Sequence, residues 1–432
     1  MRHETFHYPT LDSLRTAAEA LAVELPLTEE LSSLFRPLPL GSCTAANRIA
    51  FQPMEGTDGT AEGAPGELTL RRYQRFAQAG PGLIWFEAVA TVPEGRASVH
   101  QLYLTQDNLD AMKQLTDSIR ETCLKVNGYA PVLIMQATNS GRYSKPHGTP
   151  EPMIAYPCPP LEDAPLPEHC VVTDDDLRRF EEAYTTTARL CQQAGFDGMD
   201  VKCCHRYLAC ELLSAYTRPG DYGGSYENRT RFLKNCYRAA QAGLSSGDFF
   251  LTSRLNAYDG FAYPYGFGVR EGEGLMPDMS EAIRLIRELE AEFHIPCINI
   301  TMGNPYRNPH VNRPYDHGAY VPDEHPLEGI HRMMQGVSEI QHAVGVPVIG
   351  SAFSYLRHLA PNLAAGMVAQ GHAAMAGFGR EAFAYPDFVQ ELRRGGSMDR
   401  QRVCVSCGGC AALLRAGRPA GCVIRDREVY QL

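Results

Sequence analysis

The chain reads as a single α/β barrel of eight strands, and three observations predict it. From Asn47 onward, apolar runs rich in β-formers alternate with longer helical patterns, the mark of βαβ units around a parallel sheet. Of 432 residues, 44% are hydrophobic, enough for one large core with extensions, whereas a barrel of this (β/α)8, or TIM, type takes about 250 residues. The loops entering strands are mostly short, while those leaving the third, fifth and sixth strands are long and rich in Pro, Gly and aromatics. That asymmetry marks the carboxyl ends of the strands as the working face.

In order, residues 1–35 form an N-terminal helical extension with a helical pattern over 11–21, and the Pro-flanked segment LFRPLPLGS leads into the barrel. The barrel spans 36–395, with strands expected at 48–54, 82–89, 131–138, 198–203, 249–256, 297–302, 347–352 and 373–378. Helical patterns lie between them; the one over 174–194 has Thr173 as N-cap and Gly195 as its stop. Segment 259–278 carries Phe261, Tyr263, Tyr265 and Phe267 at alternate positions, which suits either a lid over an apolar ligand or a hairpin packed on the barrel. Residues 396–432 form a cysteine-rich tail.

Composition narrows the function. A formal charge of −10 argues against a nucleic-acid partner, because phosphate binding needs a basic surface. No apolar run is long enough to span a membrane, and MRHETFHYPT lacks the apolar stretch of a signal peptide, so a cytoplasmic protein is expected. Four of the fourteen cysteines crowd into 404–422, which favours reduced thiols plus a metal site.

Chemistry concentrates in 195–232, GFDGMDVKCCHRYLACELLSAYTRPGDYGGSYENRTRF. Met199 and Val201 face one way along a buried strand, and Asp200 and Lys202 the other. Two charges on one face are tolerable where the strand opens onto a wet pocket, with Cys204, His205 and Tyr207 at its mouth. Alternatively, Asp200 and Lys202 simply pair with each other.

Cys404, Cys407 and Cys410 form C-x2-C-x2-C, and Cys422 follows after eleven residues. Two successive two-residue gaps let thiolates curl around one compact centre, as in the bacterial ferredoxin run. Structural zinc sites more often use two separated knuckles. A four-iron cluster, a zinc ion and a metal-free tail all stay open, and Gly408 and Gly409 allow a tight path. No dinucleotide-binding unit is read: Gly377-x-Gly379 with Ala382 in third place has no following strand.

HRYL, ELLS and DYGGSYENRTRF, together with the cysteine run, resemble the Old Yellow Enzyme family of FMN oxidoreductases over about residues 36–424. The branch most alike is the 2,4-dienoyl-CoA reductase group, which adds an iron-sulfur cluster and usually has one more residue before its third cysteine. The resemblance implies FMN and a [4Fe-4S] cluster on Cys404, Cys407, Cys410 and Cys422. It implies Tyr207 as proton donor and places Lys202 and His205 where the family anchors substrate, commonly with His and Asn or His. Flavin contacts are implied at Pro53 and Met54, at Ala88, at Gln136 for the pyrimidine edge and at Arg254 for the cation over N1. Gly350, Ser351, Gly379 and Arg380 match the phosphate-binding loops of such barrels. Larger members continue into a flavin and pyridine-nucleotide domain, whereas this sequence stops ten residues after Cys422. Electrons are therefore expected from an external donor, NAD(P)H or a separate electron-transfer protein.

Three functions follow. The first is an ene-reductase acting on an α,β-unsaturated carbonyl or thioester, with Lys202 and His205 holding the carbonyl oxygen and Tyr207 supplying the proton. The second is an oxidative demethylase or dehydrogenase of a small methylated amine, which asks for aromatic or carboxylate walls, against which a cationic Lys202 argues. The third is a non-enzymatic, zinc-stabilised barrel acting as a partner subunit. Tyr306 and His310 lie near a second catalytic position of the branch, or only order their Pro-rich loop. Arg142, Lys145, His147, Arg307 and Arg313 suit a CoA phosphate or substrate carboxylate, or are simply solvated.

Overall fold

The computed structural model describes residues 3–245, 247–318 and 320–432. Helix Leu11–Ala20 opens on a reciprocal cap, in which Thr10 Oγ1 accepts from the Ser13 N–H and Ser13 Oγ accepts from the Thr10 N–H. A hairpin that the sequence did not announce comes next. Strands β1 (Leu38–Leu40) and β2 (Cys43–Ala45) pair antiparallel. Leu40 and Ala45 are fully buried in one apolar cluster with Trp85, Ile134 and Ile349, so the hairpin plugs the end of the barrel away from the expected working face.

The barrel strands are β3 (Ile49–Phe51), β4 (Leu83–Ala90), β5 (Val132–Thr138), β6 (Gly198–Val201), β7 (Phe250–Thr252), β8 (Arg254–Asn256), β9 (Ile298–Thr301), β10 (Val348–Gly350) and β11 (Met375–Phe378). All pair in parallel, in the order β7-β6-β5-β4-β3-β11-β10-β9-β8. The two ends of that order, β7 and β8, are halves of the expected fifth strand, broken only at Ser253. The sheet thus closes on itself. Ser253 Oγ donates to the Val201 carbonyl at 2.8 Å and meets the Tyr237 hydroxyl at 2.9 Å, so a side chain takes over at the seam. Expected strands 48–54 and 347–352 shorten to Ile49–Phe51 and Val348–Gly350, because the chain beyond them already bends into the mouth.

One irregularity positions the site. In β4, Leu83 and Trp85 face the barrel interior, and Ile84 and Phe86 belong to the cluster outside it. Phe86 pairs with Met135 but Ala88 with Gln136, so Glu87 is an extra residue, a β-bulge. The bulge brings Ala88 inward beside Gln136 and lets Glu87 reach Arg72 of helix Glu67–Ala79. Arg72 also binds Asp58, and Glu87 Oε2 accepts from the Gly56 N–H at 2.7 Å. This buried triad ties the loop after β3 to the barrel wall.

Helix Asp174–Gln193 matches the expected pattern, with Thr173 and Asp176 capping each other and Gly195 in the left-handed region at φ 86°. Segment 259–278 forms neither expected structure: it has no strands, and none of its residues lines the main cavity. Phe267 is fully buried against the barrel while Tyr263 is 36% exposed, so it packs as an irregular loop.

Candidate active site

A cavity of about 1080 Å³ opens at the carboxyl ends of the strands. Its floor is a hydrogen-bonded layer of buried polar side chains. Gln52 and Asn299 exchange two bonds, at 2.7 and 3.2 Å, across the barrel interior. Asp200 accepts from Trp85 Nε1 at 2.7 Å, Gln136 Nε2 at 2.6 Å and the Arg254 N–H at 2.7 Å. Burial still pushes its carboxyl up to about 6 against those donors. Asp200 is thus an organiser of the floor, and the alternative of a simple Asp200–Lys202 pair does not describe it.

Above the floor, the chain turns sharply after β6. His205 and Arg206 both adopt positive φ, 63° and 60°, a strained choice for residues with side chains. The turn is held by Arg206, fully buried, whose Nη1 binds Asp259 Oδ2 at 2.7 Å and the Ser214 hydroxyl, and whose Nη2 meets the Tyr156 hydroxyl at 3.2 Å. Lys202, His205 and Tyr207 consequently converge on the cavity. Lys202 Nζ lies 3.6 Å from the centre of the Tyr207 ring, a close cation–π contact. Burial lowers the Lys202 pKa and holds His205 well below its ordinary value, with Arg254 and Lys202 adding repulsion, so His205 is neutral near pH 7 and offers one N–H. Burial first, then Tyr306 and Glu55, raise Tyr207 well above the usual phenol, which keeps its proton on.

The residues expected to hold the flavin meet in the same cavity. Pro53, Met54, Ala88, Gln136 and Arg254 line it, as do Ser351, Gly379 and Arg380. Gly350 does not. A side chain at Gly350 would meet Val337 of the outer helix Pro326–Ala343, so this residue packs the strand against that helix instead. Two features ask for an anionic occupant. Arg254 Nε is buried without an acceptor. Arg313 and Arg380 line the cavity together, and burial with the Arg380 charge brings Arg313 down to about 10. A side chain at Gly377 would strike Gln52, so glycine there lets Gln52 pack against the cavity wall. The residues present fit FMN.

The four cysteines 404, 407, 410 and 422 line a separate cavity of about 350 Å³ that shares Arg380, Phe383 and Cys410 with the first. Cys404 Sγ accepts from the Ser406 N–H at 3.4 Å and Cys422 Sγ from the Arg425 N–H at 3.3 Å. Gly408 is left-handed at φ 77°, and a side chain at Gly409 would strike Val423 at 2.4 Å, so both glycines are required by the path. Among the described residues no group of three or more His, Cys, Asp or Glu side chains is placed to hold a metal ion.

Of the loop residues at the site, Tyr306 was a candidate from the sequence, whereas Tyr143 and Glu55 were not anticipated. Tyr306 lies with its hydroxyl 3.1 Å from that of Tyr207, and Tyr143 stacks on Tyr306 at 3.9 Å. Glu55 lines the cavity beside them. No periodicity marks such loop residues; only adjacency to Pro53 and Met54 pointed toward Glu55. His310 stays outside, 3.2 Å from Glu324 and packed on Tyr315, and orders its loop. Arg142 is not available to a substrate, being buried in ion pairs with Glu211 and Glu162. Arg307 pairs with Asp163, and His147 with Glu151 on the surface. Lys145 lines an outer cavity.

Residues 33–295 match the model of the NADH:flavin oxidoreductase / NADH oxidase family. The chain is 25% identical over 389 residues to an NADH oxidase of Thermoanaerobacter brockii, covering 88% of this chain and 53% of that protein. It is 30% identical over 243 residues to an NADPH dehydrogenase of Geobacillus thermodenitrificans, covering 55% of this chain and 66% of the relative. The chain thus spans about half to two thirds of the curated relatives it matches. Among solved structures, a 2-naphthoyl-CoA reductase in complex with 2-naphthoyl-CoA superposes with a TM-score of 0.74 at 20% identity, over 92% of this chain and 57% of that one. That likeness is one of fold.

Proposed function

The chain belongs to the NADH:flavin oxidoreductase / NADH oxidase family, and on that premise we propose that it is an FMN-dependent oxidoreductase reducing the C=C bond of an α,β-unsaturated carbonyl or thioester. The observation that carries this reading is the convergence of Tyr207, Lys202 and His205 on the cavity that holds the unpartnered Arg254 Nε. Bound FMN would supply hydride to the carbon β to the carbonyl. Lys202 and the neutral His205 N–H hydrogen-bond the carbonyl oxygen, where negative charge grows. Tyr207, protonated at neutral pH, gives its hydroxyl proton to the α carbon. Electrons come from outside, from NADH, NADPH or a separate carrier protein.

The proposal includes a [4Fe-4S] cluster on Cys404, Cys407, Cys410 and Cys422, supported by the shared cavity and its N–H···S bonds. Its shared wall with the active cavity suits single-electron delivery to the flavin site. Cys407→Ser should remove the iron while leaving FMN bound, since the candidate flavin contacts lie on the barrel. Iron analysis and flavin fluorescence check this, and four irons retained per chain would refute the ligand set. Arg254→Met should weaken FMN binding and lower its potential, because the reduced anion loses its cation. Potentiometry showing an unchanged potential at full occupancy would put Arg254 elsewhere.

The purified protein should show flavin absorbance with a broad iron-sulfur shoulder. Anaerobic reduction by candidate donors, then reoxidation by enones, enoyl thioesters or methylamines, decides the substrate. One observation favours a second reading, oxidation of a small amine: Tyr207, Tyr306 and Glu55, with Tyr143 stacked on Tyr306 from behind, make an aromatic and acidic wall. Against it, Lys202 already occupies a face of Tyr207. Reoxidation by enones with no reduction of the flavin by methylamines would exclude the amine.

A further inference from the structure

Glu55 stands where two cavities meet. With Tyr306, Leu414 and Arg415 it lines both the active cavity and an outer one of about 470 Å³, whose other walls include Tyr143 and Lys145. On the inner side it lines the active cavity together with Tyr207 and Tyr306. Oε1 is shut off from solvent and has no hydrogen-bond partner. The loop that carries it is fixed on both sides: the Gly56 N–H donates to Glu87 and the Gly56 carbonyl accepts from the Ala420 N–H at 2.7 Å. The backbone beside Glu55 is therefore fixed, while its carboxyl, on the cavity wall shared with Tyr207, leaves Oε1 unpartnered.

That placement answers a need of the proposed reaction. Once Tyr207 has given up its proton, a phenolate remains in a buried site and must be recharged before the next turnover. Tyr306, 3.1 Å away, is itself a phenol, and donation from it only moves the deficit. We propose that Glu55 recharges Tyr207: its carboxylic O–H breaks as the Tyr207 O–H re-forms, and the carboxylate then takes a proton from water in the outer cavity. Each turnover thus draws its proton from solvent through Glu55. The inference rests on Tyr207 as proton donor.

Charges facing Glu55 suit the task. Burial raises its carboxyl to about 7; Lys202 and the Tyr207 hydroxyl work against burial, and Glu87 works with it. Tyr306 faces it from the loop after β9, and Arg415 from the cysteine tail. A neutral acid is thus present below that value and lost above it.

The test is Glu55→Gln, which keeps the shape and removes the acid. In single turnover of the pre-reduced protein with an enone, the rate should stay within about twofold of wild type, since Tyr207 starts protonated. Steady-state turnover should fall at least about tenfold. The wild-type steady-state rate should decline as pH rises through about 7, and this limb should vanish in the glutamine variant and return in Glu55→Asp. Infrared difference spectra of the protein without substrate should show a protonated carboxyl titrating near 7 that Glu55→Gln removes. If Tyr207→Phe slows single turnover but Glu55→Gln leaves steady-state rate and pH profile unchanged, the relay is overturned and the donor stands. If Tyr207→Phe does not slow single turnover, the donor assignment falls and the relay with it.

Discussion

Tyr207→Phe is expected to slow reoxidation of the reduced protein by an enone by about 10²- to 10⁴-fold, the usual loss on removing a general acid. Reduction of the flavin by its donor should be unaffected, because the ring, and with it the platform for Lys202, is retained. The half-reactions therefore separate in stopped-flow measurements. A nitroalkene, whose product can leave before protonation, should lose much less rate than an enone. An enone rate that is unchanged while reduction slows would show that Tyr207 serves the donor side and not proton transfer.

The second large effect is on stability. Asp259→Ala leaves the Arg206 guanidinium buried with its counter-charge gone, and breaking such a pair from one side costs about 3–5 kcal/mol. Asp259 also accepts from the Phe267 N–H at 2.9 Å and from Asn256 Nδ2 at 2.7 Å, so the loop and the end of β8 loosen with it. Urea unfolding should register the loss. The double variant Arg206→Leu with Asp259→Leu should recover part of it, since no charge is then stranded. A loss below about 1 kcal/mol in Asp259→Ala would mean that water reaches the guanidinium.

Much of this architecture was legible in the sequence. Each of the eight expected strands has its counterpart, because buried parallel strands are written as continuous apolar runs bounded by turns. The hairpin β1–β2 was not legible: three-residue strands, one carrying Pro39, are too short for any periodicity. The break at Ser253 is invisible for a similar reason, since a single residue out of the pairing leaves no mark on a pattern this short. In the site, residues at strand ends were found because a strand end fixes where a side chain emerges. Tyr143 and Glu55, on loops, were not, because a loop residue's position depends on what it meets in space. Arg142 shows the reverse case, a loop cation whose partner, Glu211, lies in the ELLS segment and claims it for structure.

The bulge in β4 has a meaning for how this barrel can change. Counting alternate residues from Leu83 would assign Glu87 to the interior and Ala88 to the outside, the opposite of what the pairing shows. Take Glu87 away and the series Leu83, Trp85, Ala88 becomes an ordinary alternation that still points inward. The inward face is thus indifferent to whether Glu87 is there. An attachment for the rim loops has been inserted between letters of the barrel's own text, not written over them. Such a wall can acquire or shed rim fittings one residue at a time while its interior stays closed.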